Sequence, residues 1–172
     1  IAAAEQAGQT FQSALSALEQ GKGSDAATAL AGIVSSGPAG YQQLAKLRLA
    51  AEALKAGKPA EALQQYEAVA TSGSADALIR GFAQLQAASL RLGEADFTEI
   101  QNRLNDLVKD DGPWRGNARE LLGLAAMKAG KTTEARKSFE QLLGERNTPQ
   151  GVVERVNIYL ASLVAEDLAK PA

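Results

Sequence analysis

Apolar residues recur along this chain every three to four positions, the spacing of a helix face, and glycines interrupt the pattern at nearly constant intervals. Gly21, Gly57, Gly93 and Gly130 are separated by 36, 36 and 37 residues. A large apolar residue lies three positions before each (Leu18, Leu54, Leu90, Met127), and a small one lies four before (Ala17, Ala53, Ser89, Ala126). A glycine after a Leu/Ala-rich helix supplies the left-handed position that stops it, so each of the four is expected to end a helix. After three of them a start signal follows at once: Ser24-Asp25, Pro59 with Glu61, and Thr132-Thr133-Glu134. Ser, Thr or Pro followed by a carboxylate reads as the cap and first turn of a new helix. Each unit is therefore a helix hairpin.

The second helices share a register of their own. Ala26, Ala62 and Ala135 come five residues after the glycine, Leu30, Tyr66 and Phe139 nine after, and Ile33, Val69 and Leu142 twelve after. A small residue followed by large ones at +4 and +7 makes a buried stripe with a notch for close contact. The third unit breaks step. Two inserted residues, with Asp96 as the cap, bring Ile100, Leu104 and Leu107 onto the stripe, so its turn is longer and Ile100 fills its notch.

Between hairpins stand Ser35-Ser36-Gly37-Pro38, Thr71-Ser72-Gly73-Ser74, Asp110-Asp111-Gly112-Pro113 and Arg146-Asn147-Thr148-Pro149, each a stop followed by a restart. The pattern predicts helices near 2–20, 24–36, 38–56, 59–71, 75–92, 96–109, 113–129, 132–145 and 149–168. The expected fold is all-α, without strands. A single repeat domain over 1–172 would hold four hairpins (2–36, 38–71, 75–109, 113–145), stacked as a right-handed superhelix because one hairpin cannot bury its apolar face alone. The last helix, carrying Val152, Val153, Val156, Leu160 and Leu163, would cap the stack.

Composition narrows the chemistry. Alanine (35) and leucine (22) make up a third of the 172 residues, which favours helix. The net charge of −2 leaves no electrostatic footprint for nucleic acid. With no His and no Cys the commonest general base, the commonest metal ligand and all thiol chemistry are missing. No catalytic, cofactor-binding or metal-binding residue is expected, and no enzyme. Gly130-Lys131-Thr132 ends like a phosphate-binding loop, but Ala125 stands where that loop needs glycine and a helix precedes it instead of a strand. Gly21-Lys22-Gly23 lacks the third glycine of a dinucleotide fingerprint. Asp110-Asp111, before Gly112-Pro113, reads as turn and helix-start chemistry rather than a paired-carboxylate site. Tyr41, Tyr66 and Phe139 read as core. Trp114, the only tryptophan, reads as a wedge between hairpins, against the alternative of an exposed binding hot spot.

These residues resemble the tetratricopeptide repeat. Leu49-Ala50, Leu122-Gly123, Gly57, Gly130, Ala62, Tyr66, Ala135 and Phe139 fall where that family places Leu-small, turn glycine, alanine and aromatic; of the early aromatics only Phe82 is present. More narrowly, Gly37-Pro38 through Tyr41, Leu44-Ala45, Leu47-Arg48, and Gly112-Pro113-Trp114-Arg115 through Ala118-Arg119-Glu120-Leu121-Leu122 resemble the YfgM-like family of bacterial tetratricopeptide proteins. That resemblance implies an N-terminal membrane helix before Ile1, in keeping with the non-Met start. It implies a single-pass protein of the bacterial inner membrane with this domain in the periplasm. The implied partners are proteins or peptide segments, among them the Sec translocon and a periplasmic isomerase-like chaperone. No nucleic acid and no cofactor is implied, and contact with the membrane is only through the anchor.

In tetratricopeptide folds the first helix of each pair lines the concave face. Two residues before the later three glycines stand Lys55, Arg91 and Lys128, with Glu19 as the equivalent in the first unit. Stacking would align them as a short basic ladder, with Arg80, Asn117 and Glu120 nearby. One reading is a receiver for carboxylates of a bound protein; the other is complementation of the helix dipole. The leading function is a non-catalytic protein–protein interaction scaffold. The alternatives are a structural spacer that positions a membrane anchor or partner domain, and a helical hydrolase or lyase using Glu or Lys.

Overall fold

The computed structural model describes residues 1–109 and 111–169. Nine α-helices and no strand lie among them: α1 (Ala2–Glu19), α2 (Gly23–Ser36), α3 (Ala39–Lys55), α4 (Pro59–Ala70), α5 (Ala77–Arg91), α6 (Phe97–Lys109), α7 (Arg115–Lys128), α8 (Thr132–Leu143) and α9 (Gln150–Ala169). The chain clusters into two compact units, Ile1–Ala87 and Ala88–Ala172, and α5 runs through the division.

In the first unit α1 pairs with α2, α3 with α4, and α3 also packs on α2 and α1. Its core is built from Ala14, Ala26, Leu30, Ile33 and Ala45, with Phe11, Leu18, Tyr41 and Leu49 packed around them. Tyr41 closes on Phe11 with ring centroids 6.4 Å apart. Further along, Ala62, Tyr66 and Val69 of α4 are buried, and the Tyr66 ring meets Phe82 of α5 edge-on. Gln43 is the buried polar residue of this unit; its amide donates to Ser74 Oγ at 3.0 Å.

In the second unit α7 pairs with α8 and packs on α6, while α9 lies against α8 and α7. Ala126, Ala135, Phe139 and Leu142 meet Val152, Val156 and Leu163 of α9, so α9 covers this hairpin as expected of a cap. The α7–α8 contact depends on one glycine. A Cβ on Gly123 would lie 2.4 Å from the Phe139 ring, so glycine is what lets the aromatic approach α7 this closely. The notch alanines Ala26, Ala62 and Ala135 are all fully buried, and so is Ile100 in the third unit.

Three of the four hairpin turns are copies of one motif. Gly21, Gly57 and Gly130 have φ of 76°, 72° and 68°. The N–H two residues past each helix's last turn donates back to a small residue: Lys22 to Ala17, Lys58 to Ala53 and Lys131 to Ala126, each at 2.8 Å. The glycine N–H donates to Leu18, Leu54 or Met127. This double bond pattern is the Schellman motif, and it satisfies carbonyls that a helix end leaves open.

Two expectations are corrected here. Gly93 does not adopt the left-handed conformation. Its turn is longer, and Glu94 and Ala95 N–H both donate to Arg91 O, so no mirror-image residue is required. The caps also differ: Lys22, Lys58 and Lys131 occupy the N-cap positions of α2, α4 and α8, without side-chain caps. The Schellman bond has already fixed the lysine backbone, so Ser24 and Pro59 fall inside the first turn, and Thr132 opens α8. Side-chain capping appears where the turns are irregular: Asp96 Oδ1 accepts from Glu99 N–H at 2.8 Å, and Asp76 Oδ1 from Ile79 N–H at 2.9 Å.

Candidate protein-binding face

The predicted site residues divide between the units. In the first, Lys55 ends α3 with its side chain exposed, held loosely by Glu52 at 3.1 Å, which also pairs with Arg48 at 2.9 Å. Arg80, at the start of α5, is half-buried and donates Nη1 to Ala75 O at 2.9 Å, clasping the turn that precedes its own helix. Leu44, one helical face-repeat below Arg48, is 38% exposed. It occupies the repeat position of Arg80 and Asn117, so the register that singled those out also reaches it. Leu44, Arg48 and Lys55 share one edge of α3 at helical spacing.

In the second unit Arg91 is fully engaged. Its Nη1 meets Glu94 at 2.9 Å, and its Nε and Nη2 form a fork on Glu99 at 3.0 and 3.2 Å. Arg103 adds a further bond to Glu99 at 3.0 Å. Hydrogen bonding from Arg91, more than any other influence, holds the Glu99 carboxyl down at about 2 against the ordinary 4.5. Lys128 points into the preceding turn. Its ammonium donates to the carbonyls of Leu92 at 3.0 Å, Ala95 at 3.2 Å and Gly93. Asn117 is exposed.

Glu120 is only 8% exposed. Arg155 of α9 grips it with both arms, Nε on Oε1 at 2.7 Å and Nη2 on Oε2 at 2.9 Å, and this contact raises the affinity of Arg155 for its proton. A second cluster joins the start of α7 to the end of α8. Arg115 and Arg119 both pair with Glu145, and Arg115 also pairs with Asp111. Burial, then the neighbouring Arg115 charge, lowers the pKa of Arg119. Asp110 lies outside the described residues. Trp114, the N-cap residue of α7, is half-buried.

Sequence reasoning found the positions but not the partners. Arg155, Glu99 and Arg103 carry no repeat signature, because Arg155 and Glu99 meet partners on another helix and Arg103 joins the Glu99 contact through its i,i+4 pair with that residue. Ile158 of α9, 67% exposed, was missed for the same reason that α9 was read only as a cap. The bonds of Arg91 and Lys128 tie both side chains into the fold. Reversing Lys55, Arg91 and Lys128 together would not leave the fold untouched, since a carboxylate at 91 would face Glu94 and Glu99 and one at 128 would face three carbonyls. Among the described residues no cluster of three or more acidic side chains could hold a metal, and no helix is long and apolar enough to cross a membrane.

Helix hairpins repeated at this spacing, with Schellman glycines, notch alanines and a covering last helix, define a helical-repeat interaction module. The family model described as a tetratricopeptide repeat-like domain matches residues 1–165, and the chain belongs to that family. No curated protein and no solved structure matches the chain. Domains of this family are generally non-catalytic modules for protein–protein interaction.

Proposed function

We propose that this protein is a scaffold that holds a segment of another protein along the exposed edge of α3 in its first unit. The observation that carries this reading is the family membership, combined with side chains that the fold leaves unburied on that edge. Leu44 and Lys55 are exposed on α3 within the first unit. Apolar contacts would supply affinity, while Lys55 would steer carboxylates of the partner. Arg91, Glu120 and Lys128, in the second unit, are held by bonds within that unit and are not assigned a contact with the partner. In its finer form, drawn from the resemblance to YfgM-like proteins, the scaffold works in the periplasm beside an inner-membrane anchor and assists the Sec translocon and a periplasmic chaperone.

The test uses the full-length protein, isolated from bacterial membranes with its bound proteins identified by mass spectrometry. Wild type is expected to retain translocon and chaperone components. The double variant Leu44→Ser/Lys55→Glu is expected to keep its helicity and lose them in a salt-sensitive way. Retention by the variant at low salt would move the contact elsewhere. Retention of no envelope protein by wild type would favour the spacer.

A further inference from the structure

We propose that Asp111–Gly112, at the corner between α6 and α7, is a site of spontaneous aspartate isomerisation. In this reaction the Gly112 amide nitrogen attacks the side-chain carboxyl carbon of Asp111. A new C–N bond forms, and the amide proton leaves with the carboxyl hydroxyl as water, closing a five-membered succinimide. Water then adds to one of the two ring carbonyls. Opening at one restores aspartate; opening at the other routes the main chain through the former side chain, as isoaspartate. The net change is an isomerisation without change of mass, and it needs no oxidant, cofactor or catalyst.

The reaction requires an aspartate followed by a residue with no Cβ in the way, a carboxyl open to water, and a backbone not locked in a helix. The chain contains one Asp–Gly dipeptide and no Asn–Gly. Asp111 lies between helices with its side chain 91% exposed. The Gly112 N–H donates to no backbone carbonyl among the described residues. The other described aspartates are held. Asp25 and Asp106 lie inside α2 and α6, Asp76 and Asp96 cap helices, and Asp167 sits in α9 paired with Arg136 at 3.0 Å.

Arg115 restrains the reaction. Its guanidinium pairs with the Asp111 carboxylate, which engages that group away from the following nitrogen. Isomerisation adds a methylene to the main chain and draws the carboxylate off Arg115. The corner then loses one member of the network in which Arg115 also reaches Glu145 at 3.4 Å and Arg119 reaches Val108 O at 3.5 Å.

The experiment is to age the purified protein for several weeks in warm neutral buffer. Isoaspartyl methyltransferase then labels it, and the label is located by tryptic mapping with fragment sequencing. The label is expected at Asp111, in the peptide running from Asp110 to Arg115, rising with time. Gly112→Ala should lose most of it, because a Cβ obstructs ring closure. Arg115→Gln should gain label at the same position. Absence of label at Asp111, or label undiminished in Gly112→Ala, would overturn the site. An unchanged rate in Arg115→Gln would overturn the restraint.

Discussion

The turn at Gly57 and the turn at Gly93 do the same job by different means. At Gly57 every bond is local: Lys58 donates to Ala53, the glycine to Leu54, and α4 starts at Pro59. At Gly93 the connection is two residues longer, the glycine is not left-handed, and the helix is closed from outside by Lys128 of α7. Behind the first turn sits an alanine notch, Ala62; behind the second sits Ile100. A local turn fixes its own geometry and so needs a small residue for the helices to close together. A longer turn leaves room that a larger side chain fills and borrows its hydrogen bonds from the neighbouring hairpin.

The largest effects should come from exchanging the two kinds of notch. Ile100 is fully buried, and Ile100→Ala would open a cavity at a cost of about 2–5 kcal/mol. The reverse error, Ala62→Leu or Ala135→Leu, would overpack at roughly 1–3 kcal/mol. Urea denaturation of the three variants checks this. An Ile100→Ala protein as stable as wild type would mean that the third hairpin closes like the others.

The glycines sharpen the contrast. Gly57→Ala and Gly130→Ala place a Cβ in left-handed backbone with no nearby atom to hit, so the cost is conformational alone, about 1–2 kcal/mol. Gly93→Ala meets neither strain nor contact and should be neutral, or stabilising by about 0.4–1 kcal/mol through the unfolded chain. Equal losses at Gly57 and Gly93 in thermal melts would erase the distinction.

The two lysines at the same repeat position should differ too. Lys128→Met removes the donor shared by three carbonyls and should cost roughly 1 kcal/mol, whereas Lys55→Met loses one exposed pair worth about 0–1 kcal/mol. Hydrogen exchange offers a local readout: the amides of Leu92 through Ala95 should exchange faster in Lys128→Met. Unchanged exchange there would make the contact incidental.

What the sequence made legible follows the same division. The nine helices and the stripes Ala62–Tyr66–Val69 and Ala135–Phe139–Leu142 could be read because a Schellman turn and its notch are set by residues close in the chain. Lys22, Lys58 and Lys131 were missed as caps because their role comes from a backbone bond to the preceding helix, which no residue type announces. For the same reason Arg91, Glu120 and Lys128 were placed correctly on their helices while their partners stayed hidden. Glu99, Arg155 and the carbonyls of Leu92, Gly93 and Ala95 are brought up by packing, and no spacing rule reaches across two helices.

The smallest expected effect lies in the acid titration of Glu99, which ties the end of α5 to α6 through Arg91 and Arg103. Its folded pKa of about 2 is below the ordinary 4.5, so the folded state binds this proton less readily than the unfolded chain. The stability that the carboxylate contributes is therefore complete above the unfolded value. It is lost as pH falls from about 4.5 toward about 2. Near Gly57 the ion pairs are instead local to one helix each, Lys55 with Glu52 and Lys58 with Glu61, both at 3.1 Å. Comparing wild type with Glu99→Gln in urea at several pH values isolates the effect. Wild type should be the more stable at neutral pH, and its advantage should shrink steadily below the unfolded pKa and vanish near the folded one. Added salt should reduce that advantage at neutral pH, because the three side chains are partly open to solvent. An advantage that stayed constant down to pH 2 would show that Glu99 supports the α5–α6 connection by packing, and that the electrostatic hold on the long turn comes from Lys128 and the Arg91–Glu94 pair.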